Sequence, residues 1–309
     1  MHELLGASNA FESPKPLGLI SELVHLGSSN GDIVCDFFAG SGTTGHAVMA
    51  QNAEDGGNRR YVLVQLPEPI SGAGREDYPT IADLTKERLR RAGKKIRDEH
   101  EQTLQGRADS GGGTASGGLD TGFRVFKLDT ANVKAWESPT TDELDDARAE
   151  QLVLDSVHAV KPDRSEADLL WGAMLNLGLP LDGTVDARKI PTPQGERTVH
   201  VAGAGTLLAC FTPPDQPHGK IDRDTGEALA AGMAEIVKEL GVEGEVTVLF
   251  RDAAFEGESG EGSGGTGGTG GTGGTGGTGG TGGDAVKANL VENLHQHVPE
   301  NVNVRVRSI

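Results

Sequence analysis

The sequence has little of what disulfide-stapled, membrane-spanning or phosphate-gripping proteins depend on. Only two of its 309 residues are cysteine, Cys35 and Cys210. Both stand in apolar, strand-like runs far apart in sequence, which suits reduced core residues rather than a disulfide framework. No apolar run approaches the roughly 20 residues needed to cross a bilayer, and no signal peptide heads the chain. The expectation is a soluble, cytoplasmic protein with no membrane partner. Basic residues are scarce: 28 Lys and Arg stand against 46 Asp and Glu, a net charge of −18 with a pI near 4.9. Such a balance does not supply the basic face that contact with nucleic-acid phosphates requires. Either this is a part of a protein that does not touch the phosphates, or the acids are a salt adaptation that keeps the surface hydrated where charge is screened. The scatter of Asp and Glu through every segment favours salt adaptation, and the two readings are compatible.

What is present is a glycine turn between a strand and a helix. The apolar run Asp32-Ile33-Val34-Cys35 leads into Asp36-Phe37-Phe38-Ala39-Gly40-Ser41-Gly42-Thr43-Thr44, and a helix-like stretch, Gly45 to Ala50, follows. α/β proteins hold small polar ligands where a buried strand meets a helix N-terminus. Gly40 and Gly42 let backbone approach a ligand where a Cβ would collide. The spacing is neither G-x-G-x-x-G nor a P-loop, so a pyrophosphate-binding oxidoreductase is a distant reading. Ser41 is not a nucleophile-elbow serine, because Ala39 stands where that turn needs glycine. Asp36 admits two readings, a structural acid at a strand end or a ligand contact.

The acid-F-x-A-G-x-G form resembles motif I of the S-adenosylmethionine-dependent DNA methyltransferases. Upstream, Phe11-Glu12-Ser13-Pro14-Lys15-Pro16 resembles motif X of the amino-methylating members, which packs over the methionine end of the cofactor. In one subgroup motif X directly precedes motif I, as here. The resemblance narrows to the modification (Mod) subunit of type III restriction systems. It is carried by Phe37–Thr44, His46–Met49, Asn52–Arg60, Ile81–Ala92, Gly122–Leu128 and Leu208–Phe211, and by Phe250-Arg251-Asp252 to Phe255 with Asp284–Asn289. It runs in order along nearly the whole chain. It implies an α/β fold: part of a Rossmann-like methyltransferase domain plus a smaller C-terminal α/β domain. It also implies S-adenosylmethionine as cofactor. Phe38, Gly40, Gly42 and Thr43 would cradle it, Asp36 would take its amino-acid end, and Lys15 and Pro16 would cover it. The ribose contact falls to Gln65, at the expected strand tip, or to Glu68 just beyond.

These enzymes methylate an exocyclic amine through a D/N/S-P-P-Y/F/W tetrad, whose acceptors orient the amine and whose aromatic stacks on the flipped base. No such tetrad occurs in this sequence. The nearest string, Thr212-Pro213-Pro214-Asp215, lacks both acceptor and aromatic and reads as a turn closing a strand. In the subgroup with this motif order, tetrad and target-recognition domain both precede motif X. The chain thus resembles the C-terminal half of a Mod subunit, expected to be inactive alone, with no catalytic residue of its own. Its expected partners are a separate chain carrying the tetrad, DNA through the completed enzyme, a restriction subunit and a second Mod chain. A non-enzymatic assembly module, or the remnant of a broken gene, is the competing reading.

Composition divides the chain into a cofactor-binding part (1–104), a Gly/Ser-rich linker (105–120) and a C-terminal α/β domain (121–309). In the first part the pattern predicts a helix over Lys15–Leu26, strands at Ile33–Phe37 and Tyr61–Leu66, and a charged helix over Thr80–His100. That helix carries a cationic run, Arg88, Arg90, Arg91, Lys94, Lys95 and Arg97, read as a solvated face suited to a helix C-terminus, with contact to DNA phosphate or an acidic partner as the alternative. In the second, a strand is predicted at Gly122–Leu128 and helices at Thr140–Asp155, Ser165–Gly178, Glu227–Leu240 and Ala285–His297. A hairpin is predicted over Val199–Phe211, with strands at Glu245–Phe250 and Val302–Val306. The Gly-Gly-Thr repeat inside 257–283 has nothing apolar to bury and is expected to be a disordered surface loop. His295 and His297 read as a solvated helix end rather than metal ligands, and Trp136 and Trp171 as packing residues.

Overall fold

The computed structural model describes residues 2–5, 13–70, 77–109, 118–135, 159–212, 220–255 and 282–309. Phe11, Glu12, Trp136, the helix expected at Thr140–Asp155, Pro213–Asp215 and the Gly-Gly-Thr repeat up to residue 281 lie outside these. The chain divides into two compact units, Met1–Val125 and Phe126–Ile309. Among the described residues no helix is long and apolar enough to cross a membrane.

The first unit runs α1 (His2–Leu5), α2 (Leu17–Gly27), β1 (Ile33–Asp36), α3 (Thr43–Asp55), β2 (Arg60–Leu63) and α4 (Ile81–Asp109). The expected opening helix starts at Leu17 because Pro16, without an N–H, takes the N-cap position. β1 and β2 pair in parallel, Ile33 opposite Arg60 and Asp36 opposite Leu63, with α3 as the crossover. Asn52 fixes that crossover from α3: its side chain accepts from the Arg59 amide at 3.0 Å and donates to the Arg59 carbonyl at 2.8 Å. Val34, Tyr61 and Leu63 point toward α2, α3 and α4, packing with Val24, Ala47, Val48, Met49 and Leu89. The opposite face, Ile33, Cys35, Val62 and Val64, is exposed. Cys35 is therefore not a core residue, contrary to the expectation from its apolar neighbours, because nothing described covers its side of the sheet.

Two further expectations change here. The charged helix does not stop near His100 but continues to Asp109, so residues 105–109 are helix rather than linker. Gly122–Leu128 forms no strand. Among the described residues it pairs with no strand; instead the Thr121 hydroxyl accepts a hydrogen bond from Arg97, and Phe123 lies under the Arg90 guanidinium, 5.9 Å from the ring centre.

The second unit holds a five-stranded sheet in the order β3-β4-β5-β6-β7: Val185–Thr192, Gly195–Ala202, Leu207–Cys210, Gly244–Phe250 and Val302–Ser308. It is the larger of the two sheets. The β3–β4 and β4–β5 pairs are antiparallel, the β5–β6 and β6–β7 pairs parallel. α5 (Glu166–Asn176) precedes the sheet, while α6 (Arg223–Glu239) and α7 (Gly282–His297) follow β5 and β6. α5 begins in a capping box: the Asp168 amide donates to Ser165 Oγ at 3.2 Å and the Ser165 amide to Asp168 Oδ2 at 2.8 Å. Both faces are covered. Leu229, Met233, Leu290 and Leu294 from α6 and α7 pack on Val199, Leu208, Val248 and Phe250. Leu169, Leu170 and Met174 from α5 pack on Leu207, Ala209, Phe211 and Leu249. Cys210 is buried there, as expected. Trp171 meets Phe126 edge-on at 5.2 Å. β3 escaped the sequence pattern because Pro191 and its charged neighbours read as loop; proline is tolerated on the edge strand it proves to be.

Candidate functional site

β1 ends at Asp36, and the chain turns through Gly40 and Gly42 before α3 begins at Thr43. Both glycines have positive φ, 51° and 77°, a region that costs a residue with a Cβ about 1–2 kcal/mol. At Gly42 a Cβ would also stand 2.9 Å from Thr85 Cγ2. Three elements fix the turn. Asp36 holds it from β1, with Oδ1 accepting from the Phe38 amide at 3.1 Å and Oδ2 from the Thr44 hydroxyl at 2.6 Å. Gln65, just past β2, accepts from the Gly40 amide at 2.7 Å. From α4, Thr85 Oγ1 donates to the Gly40 carbonyl at 2.5 Å. Arg88 Nη1 lies within hydrogen-bonding distance of Ser41 Oγ and Thr43 Oγ1, 2.7 Å each, and of the Ser41 carbonyl at 3.3 Å.

The residues expected at the site are thus only partly brought together. Asp36, Gly40, Gly42, Thr43 and Gln65 share one hydrogen-bonded turn. Lys15 joins through its backbone, its carbonyl accepting from Thr43 Oγ1 at 3.5 Å, so the segment before α2 does reach the glycine turn. The Lys15 side chain and the Pro16 ring are exposed. Phe38 is 91% exposed and packs against nothing described. Glu68 is exposed, and its described contact is a carbonyl accepting from the Ile81 amide at 2.9 Å. Gln65, the other ribose candidate, uses its side-chain oxygen on the turn itself.

The sequence reading missed Thr85 and misplaced Arg88, which it grouped with the solvated cations of α4. Arg88 is buried, 2% exposed. The signal was present: Leu84, Thr85, Arg88, Leu89, Ala92 and Ile96 recur at helical spacing on one buried stripe, with Arg88 four residues after Leu84. The neighbouring cations stay at the surface in helical ion pairs, Arg91 with Glu87 at 2.7 Å and Lys94 with Asp98 at 2.6 Å, each worth only tenths of a kcal/mol.

The turn brings charge of both signs together. α3 starts without a side-chain cap and without an acid in its first turn, so its N-terminal amides present the positive dipole end. The Asp36 carboxylate meets this helix start through the Thr44 hydroxyl. Burial lowers the pKa of Arg88. His46, in the next turn of α3, is pushed down to about 4, first by burial and then by the Arg88 charge, so its imidazole is neutral near pH 7.

Residues 2–82 match the model of a DNA methylase family, N6_N4_Mtase. The chain is 35% identical over 145 residues to the type III restriction-modification enzyme StyLTI Mod subunit of Salmonella typhimurium, covering 46% of this chain and 19% of that protein. It is 45% identical over 98 residues to the EcoP15I Mod subunit of Escherichia coli, covering 31% and 15%. The type II methyltransferase M.KpnI of Klebsiella pneumoniae is 36% identical over 85 residues, covering 26% and 20%. These matches show the resemblance to Mod subunits read from the motifs, over up to 46% of the chain rather than nearly all of it. The aligned segments span a fifth or less of each relative.

Proposed function

We propose that this chain is the S-adenosylmethionine-binding part of a type III, Mod-type DNA adenine-N6 methyltransferase, completed by a separate chain that carries the D/N-P-P-Y/F tetrad. The observation that carries the reading is the turn itself: a strand-end acid, two left-handed glycines and the backbone of the Pro14–Pro16 segment, hydrogen-bonded into one unit. The cofactor, when bound, supplies the methyl sulfonium. This chain's residues would hold and orient it, with Asp36 toward the ammonium, the Phe38–Thr43 backbone beneath, Lys15 and Pro16 above, and Gln65 or Glu68 toward the ribose. The tetrad would hold the adenine amine. On this reading residues 1–104 are part of a Rossmann-like domain.

The bare sheet face supports the need for a partner. Parallel sheets are normally covered on both faces, yet Ile33, Phe37, Val62 and Val64 stand open on one side of β1–β2, each 46% exposed or more. A chain that adds parallel strands and a helical layer covers them. The completed enzyme would work in the cytoplasm on DNA. Unit two, with its own two-faced core, would serve contacts to a restriction subunit or a second Mod chain. Transfer of labelled methyl groups from S-adenosylmethionine to duplex DNA tests this: none is expected from the chain alone, and incorporation is expected once the tetrad-bearing chain is added. No incorporation by a folded complex of the two refutes the split-enzyme reading.

One observation favours the assembly-module alternative. Neither ribose candidate is poised, since Gln65 bonds Gly40 and Glu68 bonds nothing at the turn. That reading predicts complex formation without affinity for the cofactor.

A further inference from the structure

Arg88 is a cation buried without a counter-ion. No carboxylate bonds it among the described residues; its partners are two hydroxyls and a carbonyl of the glycine turn. Its Nε is buried with no hydrogen-bond partner at all. A guanidinium taken out of water in this way is unfavourable unless negative charge arrives nearby. Its partners Ser41 and Thr43 lead into the start of α3, whose amides have no side-chain cap and add positive potential of their own, answered on the described side by the Asp36 carboxylate on Thr44. The two features reinforce each other at one place, Ser41 to Thr44, which Arg88 reaches from below and which the turn's backbone leaves uncapped.

We propose that Arg88 is a positioning residue that makes the glycine turn selective for ligands bearing a carboxylate. This rests on the S-adenosylmethionine reading and deepens it, because that cofactor differs from its own thioether fragment, 5′-methylthioadenosine, in carrying an amino-acid carboxylate. Arg88 does not touch the ligand. It fixes Ser41 and Thr43 and supplies a charge that the low-dielectric surroundings screen poorly. The ligand's carboxylate is the counter-ion missing from the fold.

The test is calorimetric titration of the full chain, together with its tetrad-bearing partner, with S-adenosylmethionine, S-adenosylhomocysteine and 5′-methylthioadenosine. The wild type should bind both carboxylate ligands at least tenfold tighter than methylthioadenosine. Arg88→Gln should cut that preference below threefold while moving methylthioadenosine affinity less than twofold. Arg88→Lys, which keeps the charge, should retain most of the preference. A purely structural role predicts that Arg88→Gln weakens all three ligands alike, and that outcome overturns the proposal, as does an undiminished preference in Arg88→Gln. Should Arg88→Gln not fold, the methyl ester of S-adenosylhomocysteine decides on the wild type: a loss of tenfold or more supports carboxylate selection, and binding within threefold of the parent overturns it. A wild type that binds none of these ligands overturns the cofactor reading as well, whereas binding without preference overturns only the role given to Arg88.

Discussion

The two units contain similar strands with opposite fates. β5 (Leu-Leu-Ala-Cys) and most of β6 are buried along their length, with α5 on one face and α6 and α7 on the other. β1 (Ile-Val-Cys-Asp) and the run Tyr61-Val62-Leu63-Val64 are equally apolar, yet alternate residues are exposed. A continuous apolar run is what a parallel strand covered on both sides requires. In unit two the sequence and the packing agree. In unit one they disagree on one face only, the face that no described residue covers. Buried cations differ likewise: Arg197 in unit two is only 2% exposed and donates to the Lys220 carbonyl at 2.7 Å, whereas Arg88 bonds the glycine turn through Ser41 and Thr43.

The sharpest way to break this comparison is through the core that is complete. Phe250→Ala should cost about 3–5 kcal/mol, since Phe250 is fully buried and meets Phe255 edge-on at 5.4 Å. Hydrogen exchange should show α6 and β6 amides losing protection. An effect below 1 kcal/mol would mean that unit two is as loosely packed as the bare side of unit one.

Acid should act on unit one next. The folded pKa of His46 is lowered from 6.5 to about 4, so the unfolded chain binds the extra proton between those values. Its contribution is complete above about pH 6.5 and lost as pH falls through about 4, up to about 3 kcal/mol in all. α3 amides should therefore lose protection over that window, and His46→Leu should flatten the profile. A wild-type α3 indifferent to pH between 7 and 4 would contradict the neutral, buried state of this imidazole.

Gly42→Ala should destabilise unit one by about 1–2 kcal/mol through its positive φ and the approach of Thr85, while abolishing cofactor binding. Ser165→Ala, removing the capping box of α5, should cost about 1 kcal/mol, read as a fall in the denaturation midpoint. The smallest effect on stability belongs to the bare face. Val62→Asp should change the stability of the isolated chain by less than about 0.5 kcal/mol, because Val62 is already 47% exposed. Association with the tetrad-bearing chain should nevertheless be lost, as measured by analytical ultracentrifugation.

Much of this architecture was legible in the sequence because local signals coincided with tertiary ones. The glycine turn was bounded by an apolar strand and a helix start. The helix expected over Ser165–Gly178 is α5, observed over Glu166–Asn176, and the apolar periodicity of Glu227–Leu240 gave α6, observed over Arg223–Glu239. The failures share a cause: each turns on what lies opposite a residue in space. Cys35 read as core because its neighbours are apolar, but its face has no cover. Gly122–Leu128 alternates like a strand, but among the described residues it pairs with no edge. β3 pairs with β4 over its whole length despite Pro191, because an edge strand can leave one side unbonded. Arg88 read as one of several surface cations because charge, not helical phase, governed the reading. At the site, the strand–turn–helix pattern singled out the two glycines and the motif resemblance added Asp36; the roles of Gln65 and Thr85 in bracing Gly40 depend on contacts 25 and 45 residues apart in sequence.

The central claim is that the glycine turn is a cofactor site on a sheet that needs a second chain to complete it. Calorimetric titration of the chain with S-adenosylmethionine in high potassium chloride, alone and with the tetrad-bearing chain, tests it most directly. The account predicts that the partner confers binding or strengthens it at least tenfold. A folded chain that forms the complex and binds no cofactor in either mixture would contradict it and leave the assembly module in its place.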